Sequence, residues 1–195
     1  MPSLTLTPFS ALRLSTHYIP SYSRIPNTTP HSHPLYIYHS AFPPSTSPQA
    51  IETHLRSNKL SPQWRYTMYS TSHFHSTTHE VLCVFSGRAK LLFGGEKNPG
   101  RVEAQVKAGD AIVVPAGVAH RLLEDVDGGF QMVGAYPEGC SWDMCYGSEG
   151  EGDVAEKVKG VQWLTKDPLY GAEGPVLWGK EGSATMTDGS RKEEL

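Results

Sequence analysis

Cysteine is scarce in this chain: Cys83, Cys140 and Cys145 are its three thiols in 195 residues. An odd count with no C-x-x-C pair excludes a disulfide framework as the source of stability and fits a reducing compartment. Cys83 falls within an apolar strand pattern and is expected to be a small core residue, the other two ordinary free thiols. Positive charge is not in excess, with Lys+Arg 17 against Asp+Glu 20 and a net charge of -3, so no basic field exists to attract nucleic acid or a membrane surface. No apolar run approaches the roughly 20 residues needed to span a bilayer. Residues Met1 to Thr7 carry neither a basic n-region nor an apolar h-region, and the expected location is cytoplasmic. From Gly87 to Tyr146 Gly and Pro recur with no more than about 10 residues between them, which argues against a helical bundle there.

What that region holds instead is a series of short runs rich in β-branched and aromatic residues. Trp64 to Ser70, Val81 to Phe85, Ala89 to Phe93, Val102 to Val106, Ala111 to Val114, His120 to Leu123 and Phe130 to Tyr136 read as strands separated by Gly, Pro, Asn and Asp turns. Close-spaced strands of this kind imply an all-β antiparallel sandwich or barrel. Residues 1–63 read as an N-terminal arm: Leu4 to Leu6, Leu12 to Leu14 and Leu35 to Tyr38 are extended candidates for edge strands, interrupted by prolines. A helix is expected after Ser47, an N-cap followed by Pro48, with Ile51 and Leu55 on one face. Residues 64–146 form the barrel and 147–195 a C-terminal extension. That extension holds a short helix capped by Asp153, a turn at Lys166 to Gly171, an apolar Pro175 to Trp178 stretch and a frayed tail beyond Gly179. Trp142 to Tyr146 reads as a final strand.

The chemistry concentrates in two segments. His73 and His75, at i and i+2 of an extended segment, share a face, and Glu80 follows five residues later. About thirty residues on, Gly109 to His120 offers a strand, a tight turn at Pro115-Ala116-Gly117 and a further histidine, His120. His73, His75, Glu80 and His120 make a mixed nitrogen and oxygen donor set suited to one divalent transition metal, whether Fe, Mn, Cu, Ni or Zn. Burying three imidazoles and a carboxylate in an apolar barrel without a metal or a complete hydrogen-bond network would be costly. His79 adjoins Glu80 and faces away from it; it is either a donor or proton carrier behind the ligands or a packed histidine. His31-x-His33 repeats the spacing but lies in a Pro/Ser-rich loop without a nearby carboxylate, and is expected to be solvated. Tyr136, Gln131 and Trp142 are candidates for the barrel mouth.

These residues resemble the two motifs of the cupin superfamily, G-x5-H-x-H-x3,4-E-x6-G and G-x5-P-x-G-x2-H-x3-N. The match runs His73-x-His75, Glu80, Gly87, then Gly109, Pro115-x-Gly117 and His120; Thr67 stands at the leading glycine position and Glu124 at the closing asparagine position. The resemblance covers about residues 64–146 and is strongest to small single-domain (monocupin) bacterial and fungal members, some of them fungal cupin-domain oxidoreductases of secondary metabolism. It implies a double-stranded β-helix, a double Greek-key jelly-roll barrel of the RmlC-like kind, with a metal held at His73, His75, Glu80 and His120. Four protein donors would leave positions open for chemistry. The leading expectation is a metal-dependent oxidoreductase or dioxygenase acting on a small organic molecule. A redox-neutral isomerase, cyclase or lyase and a non-catalytic small-ligand-binding module are the alternatives. Edge strands, the long arm and the Val176 to Trp178 patch suggest a homodimer.

Overall fold

The computed structural model describes residues 4–178, so the tail expected to fray beyond Gly179 lies outside the described residues. Among the described residues nine strands run β1 (Arg13–His17), β2 (Leu35–His39), β3 (Leu60–Tyr66), β4 (Glu80–Ser86), β5 (Arg88–Phe93), β6 (Val102–Lys107), β7 (Ala111–Val114), β8 (His120–Asp125) and β9 (Gln131–Pro137). Two helices, α1 (Pro48–Ser57) and α2 (Val154–Lys159), lie outside them. The strands form a six-stranded sheet in the order β1-β2-β7-β4-β9-β3 and a three-stranded sheet in the order β6-β5-β8. All the strand pairings are antiparallel. This is an all-β jelly roll.

Period-two alternation divides the large sheet into two buried faces. Leu82, Val84, Ile112, Val114, Ile37 and Met132 point toward the small sheet and pack with Leu91, Phe93 and Val106 inside the barrel. Val81, Cys83, Val113, Val133, Ala135 and Tyr38 point the other way and are covered by Ile51 and Leu55 of α1 and by Leu164, Leu169 and Val176. Cys83 is thus a core residue, and burial pushes its thiol up to about 12. Ser47 caps α1 by accepting from the Ala50 N–H, and Asp153 caps α2 by accepting from Glu156.

Four expectations about strands change. Leu4 to Leu6 lies in no strand. β3 starts at Leu60 and ends at Tyr66, earlier than the Trp64 to Ser70 run. It tolerates Pro62 because it is the last strand of its sheet and carries a bulge between Pro62 and Trp64. β2 is not at an edge: it sits between β1 and β7. Trp142 to Tyr146 forms no strand; a single bridge joins Cys145 to Phe74. The helix and turn chemistry that sets local conformation was readable in sequence, whereas edge position and bulges depend on which strand lies alongside.

The C-terminal segment is latched to the core by a buried carboxylate. Asp167 Oδ1 accepts from the N–H groups of Leu169 (2.9 Å) and Tyr170 (3.0 Å), and Oδ2 accepts from the Tyr38 hydroxyl (2.6 Å) and the Val176 N–H (3.2 Å). Every such donor offsets the desolvation of a group that is fully buried. Tyr38→Phe should therefore destabilise the fold by about 1–3 kcal/mol, measured as a lowered urea midpoint; an unchanged midpoint would show that the latch adds nothing.

Candidate metal centre

His73 and His75 do not lie in a regular strand; they occupy an extended segment stitched on both sides. His73 and His120 exchange backbone hydrogen bonds (3.2 and 2.8 Å), as do Phe74 and Cys145 (2.9 and 2.9 Å). Phe74 is buried on the face opposite the two histidines, next to Ala119 and Cys145. His120 opens β8 directly after the Pro115-Ala116-Gly117 turn. Gly117 has φ 84, which favours glycine, and its N–H donates to the His75 carbonyl (2.8 Å). Glu80 opens β4 with its side chain on the barrel-interior face, in register with Val114.

The four side chains converge. The ring nitrogens of His73, His75 and His120 come within 4.8 Å of one another. Each imidazole bonds through Nδ1 to a backbone carbonyl, that of Thr71 (3.0 Å), Asp143 (2.5 Å) and Val118 (2.9 Å) respectively. Donating there fixes the tautomer and leaves three Nε2 lone pairs, the arrangement metal-ligating histidines adopt. Glu80 Oε2 lies 3.6 Å from His75 Nε2 and 3.3 Å from His120 Nε2. Donors about 2.1 Å from one ion and at right angles to each other stand about 3 Å apart, so these separations fit a shared divalent ion with little adjustment. Glu80 lies outside the set in which every donor is within 4.8 Å of every other, a set formed by the three histidines.

A relay orients the carboxylate. Trp64 Nε1–H donates to the Tyr136 hydroxyl oxygen (2.9 Å), whose own proton goes to Glu80 Oε1 (2.6 Å), leaving Oε2 for the histidines. Trp64 lies flat over Gly134 of β9, where any Cβ would come within 2.0 Å of its ring. Burial, then the Glu80 charge, pushes the Tyr136 hydroxyl well above its ordinary range and keeps it a donor. Burial alone would raise Glu80, but the facing His120 and His75 rings outweigh it and hold the carboxyl ionised, well below the usual carboxylate range. Burial, with His120 nearby, lowers His73 to about 4 and keeps it neutral. His75 is also penalised by burial, yet the Glu80 carboxylate facing it raises it overall. Asp143 braces the same segment: its carboxylate accepts from the Ser76 N–H (2.6 Å) and hydroxyl (2.5 Å).

Above the donors lies a cavity of about 260 Å³ lined by Tyr136, Trp142, Trp64, Met132 and the four site residues; Gln131 is not among its lining residues. Alternation explains this, because Met132 faces the barrel and its neighbour Gln131 faces away. The local pattern gave no sign of Trp64 or Asp143, whose roles arise from pairings across distant segments.

His79 points to the outer layer, away from Glu80. Its Nδ1 accepts from the Ala116 N–H (2.9 Å), while His31 Nε2 bonds to the Ala116 carbonyl (2.9 Å), so two histidines grip the turn that precedes His120. His33 stacks on Trp163 at 4.0 Å and 8°. The His31-x-His33 segment is therefore packed, not a solvated loop, because the C-terminal segment closes over it. Accepting at Nδ1 places the His79 proton on Nε2, which makes no hydrogen bond of normal geometry. Burial, then His31 and His33, lower His79 to about 3, with only the Gln162 backbone acting against the shift.

That depression has a stability consequence. An unfolded imidazole accepts a proton near about pH 6.5, which the folded one refuses until about 3, so stability is complete above that range and falls as pH drops through it. In the presence of a chelator, His79→Asn, whose Oδ1 can still accept from Ala116, should show a shallower loss of urea midpoint between about pH 6.5 and pH 4 than the parent. Parallel curves would count against this account.

Comparison with known proteins agrees with the geometry. The family profile described as "Cupin domain" matches residues 67–133. The chain is 35% identical over 163 residues to the Bacillus subtilis (strain 168) protein YjlB, described as uncharacterized, covering 83% of this chain and 93% of the relative. Among solved structures, Bacillus subtilis oxalate decarboxylase OxdC aligns with 53% of this chain and 25% of its own at 20% identity and a TM-score of 0.32. Procruciferin, the 11S globulin of Brassica napus, aligns with 57% and 22% at 13% identity and a TM-score of 0.31. The chain thus spans about a quarter of the length of those two solved chains. With a matching domain in the middle of the chain and a relative aligned over nearly its whole length, this protein belongs to the cupin superfamily, as one of its small single-domain members.

Proposed function

We propose that this protein is a metal-dependent oxidoreductase acting on a small organic molecule, with His73, His75, Glu80 and His120 holding one divalent transition metal. The observation that supports the reading is the convergence of three Nε2 lone pairs and one carboxylate oxygen at the base of a cavity. Iron, manganese or copper in that donor set would supply Lewis acidity together with a redox couple, zinc or nickel chiefly the former. The chain's own residues do the rest. Thr71, Val118 and Asp143 fix the tautomers through their carbonyls, and Tyr136 holds the second oxygen of Glu80. His79 positions the turn that carries His120. Apolar walls exclude bulk water, which strengthens each electrostatic contact inside.

A homodimer and a cytoplasmic location belong to the same proposal. β1 ends its sheet with one strand partner among the described residues, which leaves an edge for a second copy. Cys83, Cys140 and Cys145 are free, as a reducing compartment favours. No helix among the described residues is long and apolar enough to cross a membrane.

Elemental analysis of the purified protein beside His75→Ala tests the centre. The parent should carry close to one equivalent of metal and the variant almost none. Tyr136→Phe should weaken metal affinity about 10–100-fold without unfolding the barrel. Iron, copper or manganese with substrate-dependent oxygen consumption supports the oxidoreductase; bound zinc or nickel with no oxygen uptake turns the reading to redox-neutral chemistry, and a metal-free parent removes it.

A further inference from the structure

We infer that the cavity above His73, His75, Glu80 and His120 takes a planar molecule with one or two aromatic rings and adjacent oxygen atoms. The oxygen atoms rest on the metal reading proposed above; the ring rests on the walls of the cavity alone.

Size comes first. At about 260 Å³ the cavity lies just below the roughly 300–1,000 Å³ range of ligand sites, enough for a ring or a fused pair and too small for a large cofactor. Its walls are aromatic and thioether: Trp64, Tyr136 and Trp142 with Met68, Met132 and Met144. Ring faces and polarizable sulfur both favour a flat, polarizable guest over an aliphatic chain. The mouth repeats the chemistry. Tyr66 and Tyr69 are each 53% exposed and Trp142 is 42% exposed, and all three border the cavity. Large apolar side chains gathered in the open at one rim are what a ligand covers.

Charge points the same way. Among the described residues that line the cavity, Arg65 is the sole Lys or Arg, and its Nε is committed to Glu52 at 2.6 Å. Away from the donor set a guest therefore meets ring faces and sulfur, with no unpaired side-chain cation beside them. One polar point remains: Thr67 lines the cavity and its buried hydroxyl has no hydrogen-bond partner, although the cupin motif has glycine at this position. A buried hydroxyl left without a partner is suited to one hydrogen bond from a guest.

Catechol and oxalate are the probes, titrated calorimetrically into the protein as purified, with metal content measured on each sample. Trp142 borders the opening, its indole N–H reaches the Gln63 side chain and its ring lies 5.9 Å from that of His75, so Trp142→Ala removes a wall and its metal content is compared with the parent's. The expected result is about a tenfold loss of catechol affinity in Trp142→Ala with oxalate binding unchanged. Catechol that fails to bind, or that binds equally to Trp142→Ala, overturns the inference, as does an equal loss for oxalate. The two readings separate cleanly. A metal-loaded protein indifferent to Trp142→Ala keeps its metal centre and loses the aromatic specificity, whereas a metal-free protein whose catechol affinity still depends on Trp142 keeps the specificity and loses the centre.

Discussion

β4 is buried on both of its faces, and the consequence of that constraint runs through the whole molecule. In a sheet with one wet face a misplaced residue can turn to solvent, but here each residue of Glu80 to Val84 is committed to one of two dry layers. Glu80, Leu82 and Val84 belong inside the barrel; Val81 and Cys83 belong outside, under α1 and the C-terminal segment, and His79 just before the strand also faces outward. A slip of one residue would carry Glu80 out of the donor cluster and put His79 in its place. Pairings with β7 and β9 on either side, Glu80 with Val114 and Val81 with Ala135, hold the register.

The same dryness means that buried polar groups must be satisfied, and the fold uses them to fix loops. Asn27 donates to the carbonyls of Pro20 and Gly94 and accepts from the Ala119 N–H beside His120. His79 and His31 hold both ends of the Ala116 peptide unit, and Asp143 holds Ser76 next to His75. None of these groups needs to touch a metal or substrate. They fix the irregular segments that carry His73 and His75 and that lead into His120, so the precision of the site comes from hydrogen bonds in its surroundings.

Four donors were legible because their relation is mainly covalent. An i, i+2 pair shares a face in any extended segment, Glu80 follows within reach, and the turn before His120 is dictated by Pro115 and Gly117. The strand pattern between Val81 and Tyr136 was legible for a similar reason, since short β-branched and aromatic runs between glycine turns leave few other conformations. By contrast, the Trp64 to Tyr136 contact joins residues 72 positions apart, and the stacking of His33 on Trp163 joins the arm to the far end of the chain. Local sequence around His31 and His33 describes a polar loop, and only the arrival of Trp163 leaves both histidines half-buried.

The sequence by itself determined that this chain is a β-barrel with His73, His75, Glu80 and His120 brought together, because alternation and turn chemistry act over a few residues and need no partner. Tertiary structure alone decided which oxygen of Glu80 is left for the histidines, that Tyr136 and Trp64 hold the other, that Pro62 is tolerated in an edge strand, and that aromatic rings and methionines form the cavity walls. Those features depend on the register and bulges between strands far apart in the chain, and register is fixed by the packing of whole layers against one another.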